Sequence, residues 1–152
     1  MIADIIVWKK NSALPNNVSA NKLTRIWEFV FVFCRKDESK TFKSNKQIKS
    51  VSKTGQKYYT NMYNFIEAPN NDGSCNLNKA TYSSDLVLQL LNMYCGDKSA
   101  VVYDPFMGTG TTAVACVKYG VNYIGSELSE NQCEYANNRV KELIEKELKG
   151  DN

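Results

Sequence analysis

The residues best suited to chemistry stand in one short segment, Asp104-Pro105-Phe106-Met107-Gly108-Thr109-Gly110-Thr111-Thr112. Gly108 and Gly110 allow a tight turn in which the backbone approaches a ligand with no Cβ in the way. Glu127 follows where doubly wound folds place an acid that accepts hydrogen bonds from ribose hydroxyls. These features favour a pocket for an adenosine-containing cofactor over the simpler interpretation, in which the glycines only form a turn.

The charge and spacing of this segment discriminate between cofactors. A phosphate-binding P-loop requires a lysine before the Ser/Thr, and Gly110-Thr111-Thr112 lacks one. The spacing Gly108-x-Gly110-x-x-Ala113 fits the looser dinucleotide pattern, so spacing alone leaves a nicotinamide cofactor open. Asp104, however, would repel a pyrophosphate and attract an ammonium group. S-adenosylmethionine carries an ammonium and a sulfonium and no phosphate, so electrostatics favour it.

The elements around this segment must place it between a strand and a helix. Residues 100–103 predict a strand, residues 111–119 a short apolar helix, and residues 121–124 a second strand. Ser129-Glu130-Asn131-Gln132 is a capping-box sequence that opens a last helix. The predicted buried stripe of that helix consists of Cys133, Ala136, Val140, Leu143 or Ile144, and Leu148. This alternation predicts an α/β fold with a parallel strand pair and a right-handed crossover.

The N-terminal half is less regular. Residues 5–8 predict a short buried strand, and residues 26–34 predict an aromatic strand covered on both faces. A helix capped by Ser83 or Ser84 is expected to run to Tyr94. Between strand and helix, residues 35–78 predict a long, mostly irregular connection, and connections of that length are often functional.

This connection carries a basic tract. Its eight cations, which stand against only Asp37 and Glu38, are Arg35, Lys36, Lys40, Lys43, Lys46, Lys49, Lys53 and Lys57. The tract suits contact with a phosphate backbone, and it is equally typical of a solvated, mobile loop.

Length and composition exclude several classes of protein. The 152 residues suffice for one domain with a core, and the absence of histidine removes Ser-His-Asp and Cys-His nucleophilic chemistry. Five cysteines without a Cys-x-x-Cys pair argue against structural zinc and predict reduced, buried thiols. No apolar stretch approaches the roughly 18–20 residues of a membrane span, and no signal peptide is recognisable. A cytoplasmic protein is therefore expected.

Three motifs resemble the cofactor region of the DNA amino-methyltransferases, which act on adenine N6 or cytosine N4. They are the segment from Asp104 to Thr112, Tyr123-Ile124-Gly125-Ser126-Glu127, and Ala136 with Arg139 on the last helix. Upstream, Asn78-Lys79-Ala80-Thr81-Tyr82 is similar to the family's segment beside the methionine end of the cofactor. Ile6-Val7-Trp8-Lys9-Lys10, followed by Arg25-Ile26-Trp27-Glu28, resembles the antiparallel hairpin at the far edge of the family's sheet.

The resemblance implies a fold class and a division of the chain. We expect an α/β fold built on a partial Rossmann-like sheet of S-adenosylmethionine-dependent methyltransferases, with helices on its faces and an antiparallel edge hairpin. The chain would form a single, incomplete domain. Residues 1–34 would be the edge hairpin, residues 35–78 the basic connection and residues 79–149 the cofactor-binding region.

The resemblance also implies site residues. S-adenosylmethionine would lie against one group of residues in the glycine-rich segment: Asp104, Pro105, Phe106, Gly108, Gly110 and Thr111. Glu127 would bind its ribose, and Lys79, Ala80 and Thr81 would close the pocket. Two departures from the family pattern are present, because Asn78-Lys79 replaces the usual His-Pro type opening and Ser83 stands where proline is common.

One family motif is absent from the chain. The enzymes of this family carry Asp/Asn/Ser-Pro-Pro followed by an aromatic residue, which holds the flipped-out base by its amino group. The three prolines here, Pro15, Pro69 and Pro105, are not adjacent to one another. In the motif order of this chain, the catalytic motif and the middle strands of the sheet would precede residue 1.

The sequence therefore predicts a site-specific DNA methyltransferase, with adenine N6 favoured over cytosine N4, whose catalytic residues lie outside this chain. We expect a fragment or one part of a split enzyme that acts on double-stranded DNA. A second polypeptide would supply the catalytic motif, or the chain would form a homodimer. Cofactor binding by the isolated chain is expected to be weak or absent, and methyl transfer absent.

Two alternatives come from other classes. The basic tract and its neighbouring tyrosines are compatible with a non-catalytic DNA-binding module. A small-molecule methyltransferase is less favoured, because no acid/base constellation accompanies the glycine-rich segment.

Overall fold

The computed structural model describes residues 1–73, 75–78 and 80–150. Within these ranges the chain forms strands and helices in the order β1 (Ile2–Lys9), β2 (Trp27–Phe33), β3 (Ile48–Val51), β4 (Lys57–Tyr59), β5 (Phe65–Glu67), α1 (Ser84–Tyr94), β6 (Val101–Asp104), α2 (Thr111–Tyr119), β7 (Asn122–Gly125) and α3 (Glu130–Lys149). The predicted α/β class is confirmed.

The unit β6–α2–β7 has the predicted strand–helix–strand order, and its two strands are parallel. Asp104 pairs with Gly125, so the segments that follow β6 and β7 leave the sheet at the same edge. Helix α2 is apolar around most of its surface, and Ala115 and Cys116 are fully buried against α1 and Val121. This packing fixes the start of α2, and with it the end of the glycine-rich segment.

Helix α1 begins as the sequence predicts. The Ser83 hydroxyl oxygen accepts a hydrogen bond from the Leu86 amide, which satisfies one of the free N–H groups of the first turn. One side of the helix packs on α2 and the other on the N-terminal sheet, where Leu86 meets Ile6, Trp8 and Ile66. Helix α1 therefore joins the two halves of the chain.

Helix α3 begins at the predicted position, but two details of the prediction are wrong. The Ser129 side chain makes no capping hydrogen bond, and Gln132, the other member of the predicted capping box, bonds instead to the Asn78 side chain. The stripe is buried only at Ala136 and Val140, with Cys133 and Leu143 half-buried. Ile144 and Leu148 are exposed because the 20-residue α3 outruns the nine-residue α2 on which it packs.

The N-terminal sheet has the strand order β2-β1-β5, with β1 antiparallel to β2 and parallel to β5. The predicted hairpin is confirmed, but the prediction that residues 26–34 are covered on both faces is wrong for this chain by itself. One face packs on α1, and the other exposes a ladder of aromatic rings at successive spacings of 4.8, 6.0 and 6.4 Å: Trp27, Phe29, Phe31 and Phe33. An aromatic run predicts a strand, whereas its burial depends on whether a second layer packs against it.

The connection of residues 35–78 is more regular than predicted. Strands β3 and β4 form an antiparallel hairpin, and β5 extends the N-terminal sheet by pairing with Val7–Lys9 of β1. These strands have only three or four residues, too few for a period-two pattern to be recognised in sequence. Asn45 ties the hairpin to the last turn of α1 by bonding to the carbonyls of Asn92 and Met93.

Three further observations concern the described part of the chain. No helix there is long and apolar enough to cross a membrane, and no group of three or more potential ligand side chains is arranged to hold a metal ion. The five cysteines are free, but the prediction that they are buried holds only for Cys116, and the other four are half-buried.

Candidate cofactor site

The glycine-rich segment is a tight loop between the end of β6 and the start of α2. Gly108 and Gly110 have φ angles of +55° and +82°, which side chains with a Cβ rarely adopt. A Cβ on Gly110 would lie 2.8 Å from Cβ of Ala136 on α3. Gly110 therefore permits close packing of the loop on α3, a role different from the close approach to a ligand that its position suggested.

Asp104 closes this loop from the strand side. Its Oδ1 accepts the Phe106 amide at 2.9 Å, and its Oδ2 accepts the Thr112 hydroxyl at 2.6 Å. The Tyr82 hydroxyl lies 3.1 Å from Oδ2 and 2.8 Å from the Thr112 hydroxyl, and donates to one of them. Burial, reinforced by the Asp104 carboxylate, raises the pKa of Tyr82, so this phenol remains a donor at neutral pH.

Glu127 closes the loop from the side of β7. Its Oε2 accepts the Gly108 amide at 2.9 Å, and its Oε1 accepts the amides of Leu128 and Ser129, each at 2.9 Å. These donors, above all the Ser129 amide, lower the pKa of the Glu127 carboxyl. The side chain is therefore an ionised acceptor at neutral pH, oriented by three backbone groups.

A cleft of about 180 Å³ opens between the loop, β7 and α3. Its wall combines apolar groups with Glu127 and contains no lysine or arginine: Met107, Gly108, Ala113, Tyr123, Gly125, Glu127, Cys133, Ala136, Asn137 and Val140. Pockets for whole small molecules usually measure roughly 300–1,000 Å³. The cleft therefore has room for part of a nucleoside, and its charge suits a ligand without phosphate.

An ion pair fastens the segment before α1 to this loop. The Arg139 guanidinium on α3 lies 2.5 Å from the Asp72 carboxylate and donates to the Thr109 carbonyl and the Thr111 hydroxyl, both at 3.3 Å. The other Asp72 oxygen accepts the amide and hydroxyl of Ser84 at 2.7 and 3.0 Å. Asp72 thus connects the first turn of α1 with α3 and the glycine-rich loop.

The structure brings together most of the predicted site residues. Asp104, Gly108, Gly110, Thr111 and Glu127 all belong to the loop or contact it directly. The other two predicted residues of this segment, Pro105 and Phe106, lie on the outer side of the loop. Pro105 is exposed, and 85% of the Phe106 surface is open to solvent.

The predicted pocket wall before α1 is only partly described. The Ala80 amide donates to Asn78 Oδ1, and Thr81 is half-buried next to Tyr82. Lys79 lies outside the described residues.

Sequence reasoning missed four side chains that hold the loop. Thr112 and Tyr82 adjoin predicted site residues, and their hydroxyls are a signal that was available in the sequence. Arg139 belongs to the family motif but was not assigned to the site. Asp72 lies in a Pro-Asn-Asn-Asp-Gly stretch that indicates only a turn, so nothing in the sequence predicts its contact with α3.

The basic tract lies away from this loop. Asn45, within the tract, bonds to the last turn of α1, whereas Tyr82, just before the first turn, contacts Asp104. The 11 residues of α1 span about 16 Å at about 1.5 Å per residue. The wide groove beside the tract, about 990 Å³, is lined by Lys43, Lys46, Lys57 and Tyr59 and belongs to this distant end.

The fold matches solved DNA methyltransferases. The cytosine-N4-specific PvuII DNA methyltransferase aligns with a TM-score of 0.66 at 15% identity, over 99% of this chain and 58% of its own. The complex of M1.HpyAVI with S-adenosylmethionine aligns with a TM-score of 0.60 at 24% identity, over 91% of this chain and 61% of its own. At such identities the likeness establishes the fold, a methyltransferase α/β fold.

Sequence comparison establishes the family. Residues 1–138 match the family of N6/N4 methyltransferases described as DNA methylase, and the chain belongs to this family. The type II methyltransferase M.MthZI of Methanothermobacter thermautotrophicus is 26% identical over 161 residues, which are 94% of this chain and 44% of the relative. The orphan methyltransferase M.BamHII of Bacillus amyloliquefaciens is 26% identical over 174 residues, 93% of this chain and 63% of the relative. The chain thus spans about half the length of these relatives.

Proposed function

We propose that this chain is the S-adenosylmethionine-binding part of a DNA amino-methyltransferase. The observation that carries the proposal is the pair of carboxylates, Asp104 and Glu127, that flank a glycine-rich loop at one sheet edge, beside a cleft without basic side chains. Bound S-adenosylmethionine would supply an electrophilic methyl group for an exocyclic amino group of DNA. Membership of the DNA methylase family supports the same conclusion.

The hydrogen-bond inventory of the two carboxylates fits this cofactor. A carboxylate offers about four acceptor positions. Glu127 uses three of them, and Asp104 uses two or three. Each retains a position, so Glu127 can accept a ribose hydroxyl and Asp104 an ammonium group.

Equilibrium dialysis with tritiated S-adenosylmethionine tests this assignment on the chain co-expressed with the polypeptide encoded immediately upstream, because the isolated chain is expected to bind the cofactor weakly or not at all. Glu127→Gln keeps the size of the side chain and removes its charge, and we expect binding to weaken about 10- to 100-fold, the range for a lost hydrogen bond to a charged group. Glu145→Gln, on the exposed end of α3, is the matched control and should leave the affinity unchanged. Equal affinities for wild type and Glu127→Gln would refute the site.

We also propose that a separate polypeptide segment supplies the catalytic Pro-Pro-aromatic motif. Within the described ranges β2 pairs only with β1 and β6 only with β7, so each has an outer edge with unpaired backbone groups. The exposed aromatic ladder of β2 adds an apolar face of the kind that another layer covers. A second polypeptide whose strands insert between β2 and β6 would satisfy both edges.

Co-expression with the polypeptide encoded immediately upstream tests this point. We expect tritium transfer from S-adenosylmethionine to DNA from the co-expressed pair and none from the chain alone. Transfer by the purified chain alone would contradict the proposal. Sedimentation at several concentrations separates a two-polypeptide assembly from the predicted alternative, a homodimer.

The modified base and the cellular location remain predictions. The sequence favours adenine N6 over cytosine N4, and mass spectrometry of nucleosides from methylated DNA would distinguish the two products. A DNA-methylating enzyme must share the compartment of its substrate, which agrees with the expected cytoplasmic location.

A further inference from the structure

A second loop, residues 10–26 between β1 and β2, has a composition unlike the rest of the surface; we refer to it as the β1–β2 loop. It carries Lys10, Lys22 and Arg25 and contains no acidic residue. Asparagine, serine and threonine make up much of the remainder. Their side chains are frequent partners of phosphate oxygens and base edges in DNA complexes.

The same loop presents bare apolar side chains to solvent. Leu14, Val18 and Leu23 are 94%, 100% and 91% exposed. Single exposed apolar residues are common, but three nearly complete exposures within ten residues of a cationic loop are a high density of exposed apolar side chains along the chain. In DNA-binding proteins, such side chains act as wedges between base steps when cations hold the flanking phosphates.

Internal hydrogen bonds shape the loop, and two of them are made by Asn16. The Asn16 amide donates to the Thr24 hydroxyl at 3.0 Å, and the Asn16 side chain donates to the Lys22 carbonyl at 3.3 Å. In the part of the chain that the structure describes, Lys10 pairs with Glu28, while neither Lys22 nor Arg25 forms a salt bridge. Two cations are therefore available to a partner.

The root of the loop lies next to the cofactor site. The Asn70 side chain donates to the carbonyl and hydroxyl of Ser12, at 2.9 and 3.0 Å. Two residues along the chain, Asp72 pairs with Arg139, which donates to the Thr109 carbonyl in the glycine-rich loop. A short series of direct contacts thus joins the β1–β2 loop to the loop that would hold the cofactor.

We propose that the β1–β2 loop binds duplex DNA. Lys22 and Arg25 contact phosphates, and Leu14, Val18 and Leu23 press against the exposed base steps. This inference rests on the proposed methyltransferase function, because only a DNA substrate brings a duplex to this edge. The proposal also accounts for the exposed apolar side chains. Unstacking the target nucleotide costs a few kcal/mol, and contacts between these side chains and the base steps offset this cost.

Fluorescence anisotropy with a short labelled duplex, over a series of NaCl concentrations, tests the proposal on the whole chain. Each phosphate contact contributes about 0.9 to the slope of log affinity against log salt, so Lys22→Ala with Arg25→Ala should reduce the slope by about 2. The control pair Lys141→Ala with Lys146→Ala removes two exposed cations from α3 and should leave the slope unchanged.

A second variant separates the apolar contribution. The triple substitution Leu14→Ser, Val18→Ser and Leu23→Ser should weaken binding about tenfold at every salt concentration, with the slope unchanged. An unchanged affinity for this variant, an unchanged slope for the loop cation variant, or an equal loss of slope in the α3 control would each overturn the proposal.

Cofactor dialysis on the same proteins distinguishes this inference from the proposed function. A chain that binds S-adenosylmethionine and does not bind DNA overturns the role of the β1–β2 loop and leaves the cofactor site standing. DNA binding through the loop, combined with no cofactor binding even by the chain co-expressed with its upstream polypeptide, overturns the cofactor assignment instead.

Discussion

The glycine-rich loop and the β1–β2 loop both follow strands, and a short series of contacts links them. Their structures nevertheless differ in how many of their groups are held by the rest of the chain. In the glycine-rich loop, Thr109 and Gly110 are buried, and two carboxylates hold the loop by backbone and hydroxyl hydrogen bonds. The β1–β2 loop, by contrast, is braced by a few local hydrogen bonds, and its apolar side chains lie in solvent. One loop is organised by contacts within the chain, and the other presents its side chains outward.

This contrast fits two kinds of ligand. A small cofactor buries little surface, so its binding free energy offsets only a small entropic cost of ordering the site. A loop that binds it therefore benefits from being ordered before binding. A DNA duplex offers many phosphates and a large surface, so a loop that contacts it can remain loosely held until binding. Substitutions in the first loop should therefore affect folding, whereas substitutions in the second should affect binding alone.

The largest effect on stability is expected at Gly110. Gly110→Ala has two costs. A residue with a Cβ is strained by about 1–2 kcal/mol in the left-handed region, and overpacking of the new Cβ against Ala136 costs about 1–3 kcal/mol more. Gly120→Ala has a similar φ, +78°, but open space around the new Cβ, so it isolates the strain. In urea unfolding, the free energy of unfolding of Gly110→Ala should be clearly lower than that of Gly120→Ala. Equal values would show that α3 moves to accommodate the added methyl group.

The next largest effect concerns the Asp72–Arg139 ion pair. Its side chains are 25% and 24% exposed, between the surface and buried cases, and we expect a coupling free energy of about 1–2 kcal/mol. A double-mutant cycle with Asp72→Asn and Arg139→Gln, read out by urea unfolding, measures it. Additive single effects would mean that the pair does not fasten the segment before α1.

A smaller, pH-dependent effect is expected at Glu127. Because backbone donors lower its pKa in the folded state, its contribution to stability is fully present above the ordinary value of 4.5. That contribution is lost as the pH falls through the lowered, folded-state pKa. The difference in Tm between wild type and Glu127→Gln should therefore shrink as the pH falls below 4.5, and a difference independent of pH would contradict this account.

The smallest effect on stability is expected in the β1–β2 loop. Leu14, Val18 and Leu23 bury almost no surface, so replacing each with serine should change the free energy of unfolding by less than about 0.5 kcal/mol. Thermal unfolding of the triple variant measures this change. A large loss of stability would mean that these side chains pack on the rest of the protein in solution and that the loop is not open.

Local patterns carried most of the successful predictions. The strand, glycine-rich turn and helix of residues 100–119 follow one another along the chain, so adjacent residues determine them and the sequence reveals them. The same holds for the cap of α1, which the sequence limits to Ser83 or Ser84, because a cap bonds only to the turn that it begins. The short strands of residues 35–78 escaped prediction because β5 is stabilised by pairing with β1, far from it in sequence.

The sequence by itself determined the family motifs, the αL glycines, the two acids at the strand ends and the absence of adjacent prolines. The tertiary structure alone decided which side chains hold Asp104 and the glycine-rich loop, because Tyr82 reaches Asp104 and Arg139 reaches Thr109 from distant parts of the chain. It also separated two cationic segments that composition treats alike. The β1–β2 loop adjoins the cofactor site, whereas the basic tract lies at the other end of α1, since position depends on the packing of whole elements and not on local charge.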